Sequence, residues 1–453
     1  MVILIIFLYM FIILCIAFTI SKKRIKNALD FTIAGRSLGP YILACTLAAT
    51  EIGGGSTIGV AAKAYGEWGL SAAFYVICCG IGIFFVSFIA PYIRATFVVT
   101  LPEIINNKFG KEPYILTAII SIIALFIAAA VQITATSTII NVNTGLNVST
   151  SIVISGAVIT IYTLIGGLIS VAATDIIHII FITLGMAFIC PIVIHNAGGL
   201  DIIKMNLPES QFSLTLISYK TIIGLILMYF MTFSTGQEAV QKFFAAKNPK
   251  TAMLGAFYCA IIMCLYGFVP ALYGLVARAH FPNIDPNTAL SIAAINFAPP
   301  ILSGIVLAAL CAATMSSAAG DLIAASTILT QDIILQRFKK SINDSKIIIL
   351  NKVTILIIGT CAISISLMNF GIIPLLIFAF TIRSTGPFAS IILGLFYKRA
   401  TKLASTCSII TGSISAIIWM IYGEPFGIMS IIFGSIISII TFLGISEIQH
   451  RIQ

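Results

Sequence analysis

The chain has 453 residues, 59% hydrophobic and 9% charged, with a mean hydropathy of +1.12. Soluble domains carry about 25% charged residues, so a soluble enzyme, a nucleic-acid-binding module and a disordered chain are all excluded, and the main solvent is the lipid bilayer. The formal charge of +10 then reads as the positive-inside bias of a polytopic membrane protein, with no nucleic-acid partner implied.

In chain order, the first apolar run is 2–20. It is followed, not preceded, by Lys22, Lys23 and Arg24 and lacks a small-residue cleavage site. That makes it a membrane span with its N-terminus outside rather than a signal peptide. A crossing helix needs about 20 apolar residues. Twelve further runs qualify, at about 40–62, 70–93, 114–141, 149–166, 170–194, 219–240, 251–277, 300–334, 348–369, 372–396, 403–422 and 425–446. The expectation is an all-α polytopic membrane protein of about 13 transmembrane helices. The 300–334 run exceeds what a bilayer requires and is expected to tilt or to project into water.

Alternating sides place 20 of the 25 basic residues inside, Lys242, Lys339 and Lys340 among them. Four fall outside (Lys63, Lys204, Lys220 and Arg278), and Arg383 lies within a span. A wrong span count would scramble this asymmetry, so the N-terminus is read as outside and the C-terminus as inside. The ten cysteines lie mostly within apolar runs without a CxxC pair, and the four histidines show no metal-ligand spacing; the cysteines read as small core residues.

Two spans are interrupted. The second contains Ala48-Ala49-Thr50-Glu51-Ile52-Gly53-Gly54-Gly55-Ser56-Thr57, and the seventh contains Thr232-Phe233-Ser234-Thr235-Gly236-Gln237. Each glycine weakens a helix by about 1 kcal/mol relative to alanine, and unwound backbone within a membrane is tolerated only where it lines a cavity. Breaks five spans apart are the layout of two inverted five-helix repeats. This divides one transporter domain, 1–453, into an extra helix at 2–20, repeats at 40–194 and 219–396, and two added helices at 403–446. Small residues packing helices closely would be the alternative reading of the glycines.

Four ionisable residues lie at membrane depth: Glu51, Asp175, Asp321 and Arg383. Such groups mark transport sites or structural ion pairs; an Arg383 pair with Asp321 or Glu51 is the structural alternative. The ninth span carries a hydroxyl cluster, Thr314-Met315-Ser316-Ser317. Sodium is a hard cation that takes oxygen ligands, and hydroxyls together with carbonyls freed at the second-span break supply them.

Four stretches resemble the sodium:solute symporter family, in order, from about residue 25 to 400. They are Asp30 to Ser37, Gly166-Gly167 followed by Thr174-Asp175, Gln237 to Lys247, and Ala313 to Asp332. The resemblance implies a LeuT-like fold. It also implies a sodium site built from the Ala49, Ile52 and Ala313 carbonyls and the Ser316 and Ser317 hydroxyls, with Asp175 supporting sodium binding or release. A second sodium site of the family type is in doubt, because Ala319 and Gly320 stand where further hydroxyls occur in some members.

The expected function is sodium-coupled symport of a small polar solute by alternating access, in a cell membrane and without ATP. Carboxylates, amino acids and amines are the candidate solutes. Glu51, Ser56, Thr57, Ser234, Gln237 and Arg383 are the candidate solute contacts, with Arg383 suited to a carboxylate and Glu51 to an ammonium. A proton-coupled carrier of the same fold, a channel, a sensor and an intramembrane enzyme are the rivals.

Overall fold

The computed structural model describes residues 1–337, 343–368 and 370–452, which are all-helical apart from one isolated bridge between Leu38 and Ala246. Lys339 and Lys340 of the inside basic set lie outside the described residues. Among those described, nine helices are long and apolar enough to cross a membrane, or ten when Ile372–Thr385 and Pro387–Phe396, bent by 43°, count as one. Large apolar side chains such as Phe7, Phe11, Ile357, Ile418 and Ile440 face outward on peripheral helices. Only lipid makes that arrangement favourable, and the chain is a multi-pass membrane protein.

The helices used below are α1 (Val2–Arg24), α2 (Pro40–Glu51), α3 (Val60–Tyr65), α4 (Phe74–Ser87), α5 (Lys111–Thr144), α6 (Val148–Ile180), α7 (Met186–Asn196), α8 (Tyr219–Thr235), α9 (Gln237–Ala245), α10 (Pro249–Tyr266), α11 (Phe268–His280), α12 (Pro300–Ile328), α13 (Asp344–Ser366), α14 (Ile372–Thr385), α15 (Pro387–Phe396), α16 (Lys402–Ile421) and α17 (Ser430–Ile452). The second span is α2 and α3 with an interruption between them, and the seventh is α8 and α9. Neither is one continuous apolar helix of membrane-spanning length.

The apolar stretch Val148–Asn196 has 49 residues, roughly 74 Å if straight, against about 30 Å of hydrocarbon. It folds back at Gly167, whose φ of 55° and ψ of 178° are non-helical. The Tyr162 hydroxyl then lies 2.5 Å from Thr174 Oγ1, a pairing that twelve residues of straight helix, about 18 Å, would forbid. A Cβ on Gly167 would lie 2.7 Å from Phe31 Cδ2, so space as well as φ calls for glycine. The expected separation of the 149–166 and 170–194 runs therefore has a physical turn.

The 300–334 run lies deep in the protein. Every residue from Val306 to Ile328 is buried, and α12 forms the centre of the bundle. Its extension is held at Asp332, where Oδ1 accepts from Thr100 Oγ1 at 2.9 Å and from the Tyr114 hydroxyl at 3.0 Å. At the N-terminus, α1 packs on the bundle and the Tyr9 hydroxyl pairs with His178 Nδ1 at 2.6 Å.

The start of the second span meets the end of the seventh. Leu38, just before α2, donates its N–H to the Ala245 carbonyl at 3.0 Å, and Lys247 N–H donates to the Leu38 carbonyl at 3.0 Å. Arg94 Nε reinforces this end by donating to the Ala246 carbonyl at 2.6 Å.

Candidate functional site

Pro40 at the first turn starts α2, and Ile52, with φ −79° and ψ 64°, ends it. The Ile52 N–H still reaches the Ala48 carbonyl at 2.8 Å; helical bonding resumes when Thr57 N–H reaches the Gly53 carbonyl at 3.1 Å. The glycines are demanded by close approach: a Cβ on Gly53 would lie 2.5 Å from Ser317 Oγ and 2.7 Å from Gln132 Oε1. The freed Gly54 N–H is satisfied by Gln132 Oε1 on α5 at 2.7 Å, as a buried donor requires. Ser56 Oγ donates to the Glu51 carbonyl at 2.8 Å and Thr57 Oγ1 to the Gly53 carbonyl at 2.8 Å.

The break lies against the serine pair on α12. Ser317 Oγ is 2.5 Å from the Thr50 carbonyl and 3.0 Å from the Ala313 carbonyl. Ser316 Oγ donates to Asp175 Oδ1 at 2.5 Å, and Asp175 Oδ2 accepts from Thr46 on α2. One buried carboxylate on α6 thus joins α2 and α12. The contacts shown join Thr46, Thr50, Ala313, Ser316, Ser317 and Asp175 in a network of hydroxyls, carbonyls and a carboxylate; Ala49 and Ile52, also buried, flank Thr50 and Glu51 at the end of α2, and oxygen donors of this kind suit a small hard cation.

Beyond the break is a cavity of about 30 Å³, lined by Glu51, Ser56, Gln132, Tyr229, Glu238 and Asp321 among others. It has room for a water or two, so a larger solute enters only when the surrounding helices part. Of the proposed solute contacts, Glu51 and Ser56 line it. Thr57, Ser234, Gln237 and Arg383 do not. Ser234 Oγ donates to the Phe230 carbonyl at 2.7 Å within its own helix. Gln237 faces away, its Oε1 accepting from Leu101 N–H at 2.6 Å and its Nε2 donating to the Val99 carbonyl at 3.3 Å.

Arg383 is buried and paired, with neither Asp321 nor Glu51 as its partner. Its Nη2 donates to Glu238 Oε1 at 2.6 Å, the two side chains being 2% and 4% exposed, and its guanidinium sits 4.7 Å from the Phe380 ring centre. The pair is held by this one bond: Arg383 Nε and Nη1 and Glu238 Oε2 are buried with no hydrogen-bond partner among the described residues. Sequence reasoning missed Glu238, which follows the Gly236 break directly.

Lys242, counted with the inside loop charges, is fully buried and donates to Thr50 Oγ1. The stretch from Gln237 to Ala245, expected to leave the membrane after 240, is a helix buried along its whole length. Gln241 Nε2 holds it in place, donating to the Thr32 carbonyl at 2.6 Å and to Thr327 Oγ1 at 3.0 Å. The four-residue spacing of Glu238 and Lys242 puts both on one helix face, a signal the sequence carried.

The family model "Sodium:solute symporter family" matches residues 31–412. Sodium/proline symporter 2 of Staphylococcus saprophyticus is 24% identical over 98% of this chain and 92% of its own length. The osmoregulated proline transporter OpuE of Bacillus subtilis is 24% identical over 95% and 91%. In fold, the chain is similar to a Na+-coupled sialic acid symporter solved in a substrate-bound outward-open state, with a TM-score of 0.84 at 19% identity over 99% of this chain and 98% of that one. It is also similar to Mhp1, a nucleobase-cation-symport-1 family transporter, with a TM-score of 0.61 at 12% identity over 92% and 95%. With a family match across most of its length, a continuous helical core and two interrupted helices meeting at a buried polar site, the chain belongs to the sodium:solute symporter family.

Proposed function

We propose that this protein carries a small polar organic solute into the cell together with sodium, by alternating access. Sodium binds the Ala49, Ile52 and Ala313 carbonyls and the Ser316 and Ser317 hydroxyls, and Asp175 holds Ser316 in position and eases release. The solute binds in the cavity against Glu51 and Ser56, while Thr57, Ser234, Gln237 and the Arg383–Glu238 pair keep the broken helices in register. The observation that carries this reading is the contact of Ser317 Oγ with the Thr50 carbonyl, 2.5 Å away at the helix break. Sodium bridging these two helices couples its binding to their relative position.

The same reading takes the protein to thirteen spans in the cell membrane, N-terminus outside and C-terminus inside. It treats 40–194 and 219–396 as inverted repeats, with 2–20 and 403–446 added. Both broken helices, the turn at Gly167 and the 43° bend after Thr385 support that count. Proton coupling is the second reading. It is favoured by Lys242, a buried ammonium against Thr50 beside the proposed sodium position.

In detergent, a transported solute is expected to raise the melting temperature when sodium is present and not when potassium replaces it. Ligand at 100 times its Kd stabilises the native state by about 2.7 kcal/mol, enough for a shift of a few degrees. A panel of amino acids, organic acids, sugars and amines that stabilises equally in potassium would contradict sodium coupling.

A further inference from the structure

We propose that the solute is an organic cation, recognised through a protonated primary or secondary amine that donates to Glu51 and Asp321. This rests on the symporter reading above and names its substrate class.

Three carboxylates line the cavity, those of Glu51, Glu238 and Asp321, and no Lys or Arg among the described residues lines it. Glu238 is already paired with Arg383. The carboxylates of Glu51 and Asp321 have no hydrogen-bond or ion-pair partner among the described residues, although Asp321 is only 5% exposed. Burying an unpaired carboxylate is costly, and a cationic ligand with N–H donors removes that cost.

A second observation concerns the wall opposite. Tyr229 and Phe380 both line the cavity; the Phe380 ring already carries the Arg383 guanidinium 4.7 Å from its centre, which leaves Tyr229 as the aromatic group open to a ligand. Tyr229 packs against Tyr75 with ring centres 5.5 Å apart and against Phe380 at 6.4 Å. Aromatic faces attract ammonium groups and offer nothing comparable to a carboxylate.

The composition of the site points the same way. Four acidic side chains, Glu51, Asp175, Glu238 and Asp321, stand around the break against two basic ones, Lys242 and Arg383, and a surplus of acids favours a ligand that brings N–H donors and positive charge over one that adds a further carboxylate.

The test is sodium-driven uptake by the full chain in proteoliposomes, with ethanolamine and putrescine set against choline, proline, lactate and glucose. The expected result is sodium-dependent accumulation of ethanolamine or putrescine, with choline, which has no N–H, at least tenfold weaker. Asp321→Asn and Glu51→Gln should each weaken amine uptake at least tenfold in apparent affinity, and Asp321→Glu should restore part of it. Sodium half-saturation should move less than twofold in Asp321→Asn. Preferred sodium-dependent accumulation of proline, lactate, glucose or choline overturns the amine assignment and leaves the symporter reading standing. So does a tenfold change in sodium half-saturation with amine affinity unaltered. The absence of sodium-dependent accumulation of any of the six strikes the symporter reading itself, and the amine assignment with it. If a variant fails to reconstitute, the preference of the unmodified protein decides.

Discussion

Ser316→Ala and Ser317→Ala are each expected to raise the sodium concentration for half-maximal uptake by about 10- to 100-fold. Each removes one hydroxyl oxygen aimed at a cation in a buried site, and an interaction of a polar group with a charge is worth about 1.5–3 kcal/mol, tenfold for each 1.4 kcal/mol. The two variants should differ in a second respect. Ser316 also donates to Asp175 Oδ1 at 2.5 Å, so Ser316→Ala leaves that carboxylate short of a donor, whereas Ser317→Ala loosens the contact with the Thr50 carbonyl. Initial uptake rates against sodium concentration check this. Half-saturation within twofold of the unmodified protein in both variants, at equal reconstitution, would remove these serines from the sodium site.

Arg383→Ala and Glu238→Ala are each expected to destabilise the protein by about 3–5 kcal/mol, because each strands a buried charge. Arg383 and Glu238 are 2% and 4% exposed, so solvent does not screen the loss. Arg383→Met combined with Glu238→Leu removes both charges while keeping bulk. It should recover most of the thermal stability and none of the transport, since the pair ties α9 to α14 beside the cavity. Melting temperatures of the two single variants and the double variant in detergent decide. A double variant no more stable than either single variant would contradict the pairing.

What the sequence disclosed follows from the range of the forces involved. The break at Gly53 was legible as a glycine run inside an apolar stretch and that at Gly236 as a single glycine among hydroxyls, and the structure adds the reason in the approach of Ser317 and Gln132 to Gly53 and of Glu238 to Gly236. The serine pair was legible as a local hydroxyl cluster. Glu238 and Lys242 were not recognised as site residues, because they follow the apolar run and look like the start of a solvated loop. Only the packing of α9 against α2 and α12, separated from it by many residues in the chain, buries them. Gln132 was passed over for the same reason: a single amide in a long apolar helix takes its meaning from the Gly54 N–H that it meets at 2.7 Å. The partner of Arg383 was sought among Glu51 and Asp321, the acids already visible at membrane depth, and proved to be the acid whose depth the break disguised. Helix length carries the same signature of interruption: Tyr219–Thr235, the apolar helix that ends at the Gly236 break, is only 17 residues long.

The most direct test of sodium coupling is uptake into proteoliposomes under separately imposed gradients, using the solute that stabilises the protein best. An inward sodium gradient at equal pH should drive accumulation above the external concentration, and monensin, which collapses that gradient, should abolish it. A membrane potential negative inside should increase it, since each charge carried gains about 2.3 kcal/mol per 100 mV. Accumulation that persists in sodium-free buffer and follows an imposed pH gradient would contradict sodium coupling and assign the coupling role to protons and the buried Lys242.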